Sequence, residues 1–484
     1  MTFALAGDVL YMILDVLGDE KDYNSLFQCA ISSKCFTEHS LAVLYNYIRY
    51  LDLDDFGDLL KEPRFTKTMK DDFFTPELLG LVSHDYEVKG SKRLRSSKAY
   101  PDNDWVLVKI GTVPPETLSA WIEGLPLLKS LTIWSGDALS HHAGDKIRNH
   151  SPDFKQLTIY GWKNDPPRNV EADSEQFLTE LRPNTLEYFE ILSYSQLGPR
   201  SIRSLGLHLD SLAELKLTSL TIETIAELPS LTAAPALKVL VLTDSIPAAR
   251  DENFFAVVTR VAEWICTCKS LQRLELRRFV DDSYLLSQVL PHEGLHLTTL
   301  SLAGYAMADS RLFHEALASQ QTLENLYLRG EGSEFPPGNN ILADVISRLN
   351  NLRELELKDI SDGFTTDHVA YMAHTLPRLE RLWISGEFFD DTTLSAFLDL
   401  PNLQSLSIHA FSNFTADGIL SFISQLGPKN RGFNLAILNA VDSTLTEEAQ
   451  NVIRETLKVS VDGTFDYGLA QEEDSDLDSD QMSD

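Results

Sequence analysis

The most conspicuous reactive pattern in the chain is His292-Glu293-Gly294-Leu295-His296. Two imidazoles four residues apart, with a carboxylate beside the first, hold zinc and activate water when the segment is helical, because i and i+4 then share a face. Here Pro291 precedes the pattern, Gly294 interrupts it, and Leu297 opens an apolar alternation directly after it. These residues predict a turn, so zinc hydrolysis is not expected, even with Glu315 at a conceivable third-ligand distance downstream. Cys266 and Cys268 are one residue apart with no second pair to complete a zinc site, and they read as core and turn thiols. His141-His142 reads as loop. The sequence holds no P-loop, no G-x-G-x-x-G opening a helix and no G-x-S-x-G elbow. Neither catalysis nor a metal or other cofactor is expected.

The remaining chemistry is recognition, and a repeat must position it. LQRLEL at 271–276 returns as LTTLSL at 297–302, LENLYL at 323–328, LRELEL at 352–357, LERLWI at 379–384 and LQSLSI at 403–408. Upstream the pattern appears as LKSLTI at 128–133, FKQLTI at 154–159, LEYFEI at 186–191, LAELKL at 212–217 and LKVLVL at 237–242. The starts lie 24 to 34 residues apart, which is the signature of leucine-rich repeats. Each unit supplies one short strand whose leucines point inward, and stacking makes the core continuous. The return segments read as helices. Asp309 precedes Leu312, Phe313, Ala316 and Leu317; Thr366-Asp367 precedes Val369, Ala370, Met372, Ala373 and Leu376; and Ile419, Leu420, Phe422, Ile423 and Leu426 end at Gly427-Pro428. The expected fold is an α/β leucine-rich-repeat solenoid, a horseshoe with a parallel concave sheet and convex helices.

Strand alternation then picks out the side chains that leave the core. The large ones are Trp134, Tyr160, Tyr188, Arg273, Arg277, Tyr327, Arg329, Arg381 and Trp383. Aromatic and arginine side chains dominate binding hot spots, so this set marks the expected surface for a protein substrate. The cationic members would suit an acidic or phosphorylated segment of a substrate, but Glu190, Glu214, Glu275, Glu354 and Glu356 interrupt them, so no phosphate site is assigned. Three residues past the third leucine stand Phe279, Tyr305, Ile360 and Phe411, where repeats of this kind often carry a hydrogen-bonding asparagine. Those turns are expected to be packed with apolar side chains.

Composition sets the class. The 484 residues are 43% apolar with a formal net charge of −31, which disfavours a nucleic-acid or anionic-membrane surface. Four cysteines are too few for a disulfide framework, so a reduced compartment, cytoplasmic or nuclear, is expected. Asp8 and Asp15 break the apolar start of the chain and no basic n-region precedes it, so a signal peptide is not expected. A membrane span is not expected either. Residues 51–104 read as a joint, with Lys89, Lys92, Arg93, Arg95 and Lys98 in a solvated basic loop. The repeats occupy 105–460, with WVLVKI at 105–110 as an irregular first strand and FNLAIL at 433–438 as the last. Residues 461–484 form an acidic tail expected to be disordered; the stretch from Glu472 holds seven acids and no base.

Residues 1–50 do not follow the repeat. Leu10, Ile13, Leu14 and Leu17 give one helical stripe, Leu26, Cys29, Ala30 and Ile31 a second, and Leu41, Leu44 and Tyr45 a third. Leu5, Asp8, Val9, Leu10, Ile13 and Leu17, then Asp22, Leu26, Ile31, Ser32, Lys34 and Phe36, then Leu44-Tyr45, resemble the F-box, in the degenerate form seen in fungal F-box/leucine-rich-repeat proteins. Ala6 stands where the family has proline, Tyr23 where leucine is usual, and Phe36 in place of tryptophan. The resemblance implies a small three-helix domain that presents Leu5, Val9, Leu10, Ile13, Leu26, Ile31 and Phe36 to a Skp-type adaptor and, through it, to a cullin. By that resemblance the chain would be the substrate-recognition subunit of an SCF-type cullin–RING ubiquitin ligase. The alternative is a repeat scaffold of another class, such as a GTPase-activating repeat protein: repeats of this length before an acidic tail resemble the activators of the Ran GTPase, which do not begin with F-box-like helices.

Overall fold

The computed structural model describes residues 106–110 and 114–469, apart from 164–168, 233, 306–309, 331–335, 362 and 441–444. The F-box-like segment 1–50 with its seven adaptor-facing residues, the basic joint and the stretch from residue 470 lie outside the described residues. The chain divides into two compact units at residues 214 and 215.

In the first unit, β1 (Val106–Ile110), β2 (Leu128–Ser135), β3 (Gln156–Trp162) and β4 (Tyr188–Ser195) lie side by side in sequence order, all parallel. They alternate with α1 (Pro115–Glu123), α2 (Ala143–His150), α3 (Val170–Glu180) and α4 (Pro199–Leu205). Leu131, Leu157 and Phe189 are register partners, as are Ile133, Ile159 and Ile191, and all six are buried.

The second unit begins within β5 (Glu214–Thr218), followed by α5 (Ile222–Ile225) and β6 (Val239–Thr243). Then come α6 (Glu252–Thr267), β7 (Arg273–Arg277), α7 (Asp282–Val289), β8 (Thr299–Tyr305), α8 (Arg311–Leu317), β9 (Asn325–Gly330), α9 (Pro336–Ser347) and β10 (Glu354–Lys358). It closes with α10 (Thr366–Thr375), β11 (Arg381–Asp390), α11 (Asp391–Phe397), β12 (Ser405–Asn413), α12 (Ala416–Ser424), β13 (Asn434–Ala440), α13 (Glu447–Val461) and β14 (Thr464–Leu469). The second leucines form one row, Leu240, Leu274, Leu300, Leu326, Leu355, Leu382, Leu406 and Leu435, continued by Phe465. All are buried, so each repeat covers its neighbour's apolar face at roughly 1.5–3 kcal/mol per leucine. The alternation of strand and helix with every strand parallel makes this an α/β leucine-rich-repeat solenoid.

The register is fixed where each strand starts. The Gln272 carbonyl accepts from both Thr298 and Thr299 N–H, Thr298 from Glu324 and Asn325, Glu324 from Arg353 and Glu354, Arg353 from Glu380 and Arg381, and Glu380 from Gln404 and Ser405. One carbonyl thus seats two successive donors of the next repeat, and a one-residue slip would break every such pair at once.

Several helices begin at polar caps: α10 starts at Thr366 after Thr365, so Thr366-Asp367 forms its first turn, while Asp309 lies outside the described residues. Thr415 caps α12 through Gly418 N–H, and Asp251 caps α6 through Phe254 N–H. Val369, Met372 and Ala373 of α10 and Phe313, Ala316 and Leu317 of α8 are buried, whereas Leu312 is exposed.

Three features differ from the sequence reading. The repeats do not end at FNLAIL or at residue 460: β14 adds a parallel strand beyond them, and the seam is sealed by Phe465 although TFDYGL lacks the leucine pattern. Phe279 and Ile360 are buried in the turns as expected, but Phe411 is exposed, because β12 does not turn there. It continues to Asn413 beside an equally extended β11, with a bulge between Gly386 and Phe388. The side chain of Tyr305 lies outside the described residues. Finally, several turns rest on left-handed backbone two residues past the third leucine, at Ser219, Asp244, Arg278, Gly304 and Asp359. The N–H groups of Ser219, Asp244 and Arg278 donate to Thr243, Arg277 and Ala303 carbonyls of the next strand.

Candidate binding surface

Residues that alternate with the buried leucines form the solvent face of each sheet. In the first unit, Trp134 and Tyr160 occupy the same position on neighbouring strands and stack, with ring centroids 3.9 Å apart and planes 5° from parallel. They are 50% and 40% exposed. Tyr188 on β4 is half-buried and lies in register with Gln156, four residues before Tyr160, so it is apart from the stack; its hydroxyl donates to Glu190 Oε2 at 2.6 Å. Leu192 on β4 is 51% exposed, an apolar contributor that a search for aromatic and arginine side chains passes over.

In the second unit the face resolves into three rows. The first runs Arg273, Thr299, Asn325, Glu354, Arg381 and Ser405; the second Glu275, Ser301, Tyr327, Glu356, Trp383 and Ser407; the third Arg277, Ala303, Arg329 and Lys358. All six side chains expected here from alternation, Arg273, Arg277, Tyr327, Arg329, Arg381 and Trp383, are exposed or half-exposed. The glutamates among them are partners rather than interruptions. Glu354 accepts from the Tyr327 hydroxyl at 2.5 Å and from Arg381 Nη1 at 2.9 Å. Arg329 forks onto Glu356 at 2.7 and 2.9 Å, Arg273 pairs with Glu275, and Arg277 lies 3.6 Å from Asp244. Burial and the adjacent Glu354 carboxylate push the Tyr327 phenol up to about 12. Such exposed pairs contribute about 0–1 kcal/mol each to stability; their effect is to hold long side chains in one geometry.

Lys358 is the cation that residue-type reasoning missed. It occupies the third-row position that singled out Arg277 and Arg329, and no carboxylate pairs with it among the described residues. Its Nζ stands 5.5 Å from the ring centroid of Trp383, a cation–π contact, and His409 lies 5.6 Å from the same ring at 33°. Trp383 is therefore gripped from both neighbouring strands.

The reactive-looking residues lie elsewhere. His292 to His296 form a turn after α7, where the His292 ring accepts from Gly294 N–H, and the two imidazoles do not share a helix face. Cys268 is buried, which pushes its thiol up to about 11, and Cys266 is half-buried with its thiol also raised. Neither is poised as a thiolate. His141 and His142 are both left-handed, and His142 contacts Glu180. Among the described residues no helix is long and apolar enough to cross a membrane.

No family model matches the sequence, and no curated protein matches it. Among solved structures, the crystal structure of the yeast Rad7 and Elc1 complex aligns over 85% of this chain and 91% of its own at 14% identity, with a TM-score of 0.35. The TLR13–ssRNA13 complex aligns over 75% of this chain and 50% of its own, also at 14% identity, with a TM-score of 0.39. Superpositions this loose carry no argument, and the leucine-rich-repeat fold stands on the register rows of the sheet itself.

Proposed function

We propose that this chain is a non-catalytic substrate-recognition subunit of an SCF-type cullin–RING ubiquitin ligase, with a protein substrate held on the solvent face of the repeat sheet. The observation that carries the recognition half is the set of Tyr327 and Arg329 on β9 and Arg381 and Trp383 on β11, held on either side of β10 by Glu354, Glu356 and Lys358. Aromatic and arginine groups whose rotamers are already fixed lose little entropy on binding. The ligase half rests on the F-box-like residues Leu5, Val9, Leu10, Ile13, Leu26, Ile31 and Phe36, which would seat a Skp-type adaptor and through it a cullin. Such a subunit acts by raising the local concentration of its substrate beside a ubiquitin-loaded enzyme.

The test is affinity capture of the full chain against one lacking residues 1–50, read by mass spectrometry. Adaptor and cullin recovered only with the full chain support the reading. Their absence from both sinks its ligase half and leaves a repeat scaffold. A GTPase-activating role would instead show as accelerated GTP turnover with either form.

A further inference from the structure

The solvent face of the first unit is chemically unlike that of the second. Between the buried rows, Ser130 is in register with Gln156, and Thr132 with Thr158 and Glu190. Among these partners Glu190 is the one charge, in a chain that is 23% charged, and it already accepts from the Tyr188 hydroxyl. The corresponding positions of the second unit carry Arg273, Arg329, Glu354, Glu356 and Arg381. An ionic partner thus finds counter-charges on the second unit and almost none on β2, β3 and β4.

What this face offers instead is rings and hydrogen-bond donors. Trp134 and Tyr160 each turn one ring face to the other, so they show solvent their edges and outer faces. Leu192, directly after the buried Ile191 that pairs with Ile159, extends the exposed apolar row onto β4. Neither the Trp134 indole nor the Tyr160 hydroxyl has a hydrogen-bond partner among the described residues. The same holds for the Thr132 and Thr158 hydroxyls and the Gln156 amide. An indole N–H can only donate, so the ridge calls for an acceptor that brings no charge with it.

We propose that the Trp134–Tyr160 ridge binds an uncharged, proline-rich segment of the protein substrate in the polyproline II conformation. Prolyl rings of that segment pack against Trp134, Tyr160 and Leu192, and its carbonyls accept from the Trp134 indole and the Tyr160 hydroxyl. The match is one of hydrogen-bonding character. A polyproline II chain makes no internal hydrogen bonds, so its carbonyls seek outside donors, and proline brings no N–H that the ridge would have to satisfy. Its fixed backbone also loses little entropy on docking against aromatic side chains. A sugar would suit an uncharged aromatic surface too, but sugars lie on open ring faces, and here the stack uses up one face of each ring. The inference rests on the substrate-recognition reading and adds the class of segment held by the first unit.

The test uses the full chain and two labelled short peptides, one repeating Pro-Pro-Leu, the other with alanine at every proline. Fluorescence anisotropy is expected to show the proline peptide bound roughly tenfold or more tightly than its alanine counterpart. Its affinity should change by less than about twofold between low and high salt, since no ion pair forms. Trp134→Ala with Tyr160→Ala should weaken it by roughly tenfold or more while the thermal midpoint stays put, because both rings are already solvent-exposed. Tyr327→Ala with Trp383→Ala, in the second unit, should leave it unchanged. The proposal is overturned if the proline peptide does not bind, if both peptides bind alike, if salt abolishes binding, or if the first alanine pair leaves the affinity unchanged. A glucose oligomer that binds and is lost with that same pair would give the ridge to a glycan and overturn it as well. Failure of the ligase reading would look different, since adaptor recovery would be lost or absent while this peptide binding persisted.

Discussion

Single residues in this molecule separate into those that hold the fold and those that face solvent, and titration tells them apart. His314 of α8 is buried, and burial lowers its imidazole to about 4. A group that resists protonation in the fold contributes stability that is complete above its unfolded value near 6.5 and is lost as pH falls from there toward 4. The shift corresponds to about 3 kcal/mol. His208 is lowered in the same direction, by burial first; it accepts from Thr185 N–H, and its other ring nitrogen meets the Leu178 carbonyl. Thermal midpoints should therefore fall between pH 6.5 and 4, and His314→Gln should flatten that slope; an unchanged slope would refute the assignment. On the solvent face the expectation is the opposite. Glu354→Gln should bring the Tyr327 phenol part of the way down from about 12, since Glu354 is the second cause after burial, with little change in stability. An absorbance titration of the phenolate checks this. Much at this scale was legible in the sequence: alternation from three leucines placed Arg273, Arg277, Tyr327, Arg329, Arg381 and Trp383 on the solvent face. Lys358 was passed over because lysine is an ordinary surface residue, and nothing in its identity signals a contact with Trp383 from the next strand. The side taken by Phe411 was misread because a bulge near Gly386 and the lengthening of β12 leave no mark on the leucine period.

At the scale of elements, the strand-to-helix turns differentiate this solenoid from a regular one. Gly330, two residues past the third leucine of its repeat, lies against the backbone of the next repeat, where a Cβ would meet the Asp359 carbonyl oxygen at 2.6 Å and Ile360 Cα at 2.8 Å. Backbone does not yield as a side-chain tip does, so Gly330→Ala should cost roughly 2 kcal/mol or more. Gly206 has open space and an ordinary helical φ of −55°, so Gly206→Ala should be neutral or gain about 0.5 kcal/mol. Chemical denaturation of the two variants distinguishes a packed turn from an open one. The helices carry their own ladder: Ser174 with Ser201, Ser283 with Ser310, and Thr366 with Thr393 pair hydroxyls at 2.6–2.7 Å across successive repeats. That ladder, like the left-handed Ser219, Asp244, Arg278 and Asp359, uses residue types too common to flag, which is why an asparagine search found neither. β14 was missed for a related reason, since Phe465 alone takes the place of the leucines. A chain ending at residue 460 should expose the edge of β13 and aggregate, whereas one ending at 469 should remain as soluble as the full chain. Size-exclusion chromatography of the two truncations would decide between a structural strand and a dispensable tail.

For the whole molecule, the repeat architecture assigns different tasks to different stretches. A leucine-rich solenoid stabilises itself through neighbours, so its solvent face is free to vary in chemistry without cost to the core. That freedom is where Trp134 with Tyr160 in one unit, and the arginine–glutamate pairs and the Lys358–Trp383–His409 cluster in the other, find room. The proposed ligase role requires the N-terminal segment and the sheet face to be functionally separable. Quantitative affinity capture of three full-length forms tests this most directly: the natural chain, Leu10→Asp with Ile13→Asp, and Tyr327→Ala with Trp383→Ala. The first pair of changes should abolish recovery of adaptor and cullin while other partners remain, and the second should deplete those other partners while adaptor and cullin remain. Identical partner lists from all three forms would contradict the division of labour and, with it, the proposed function.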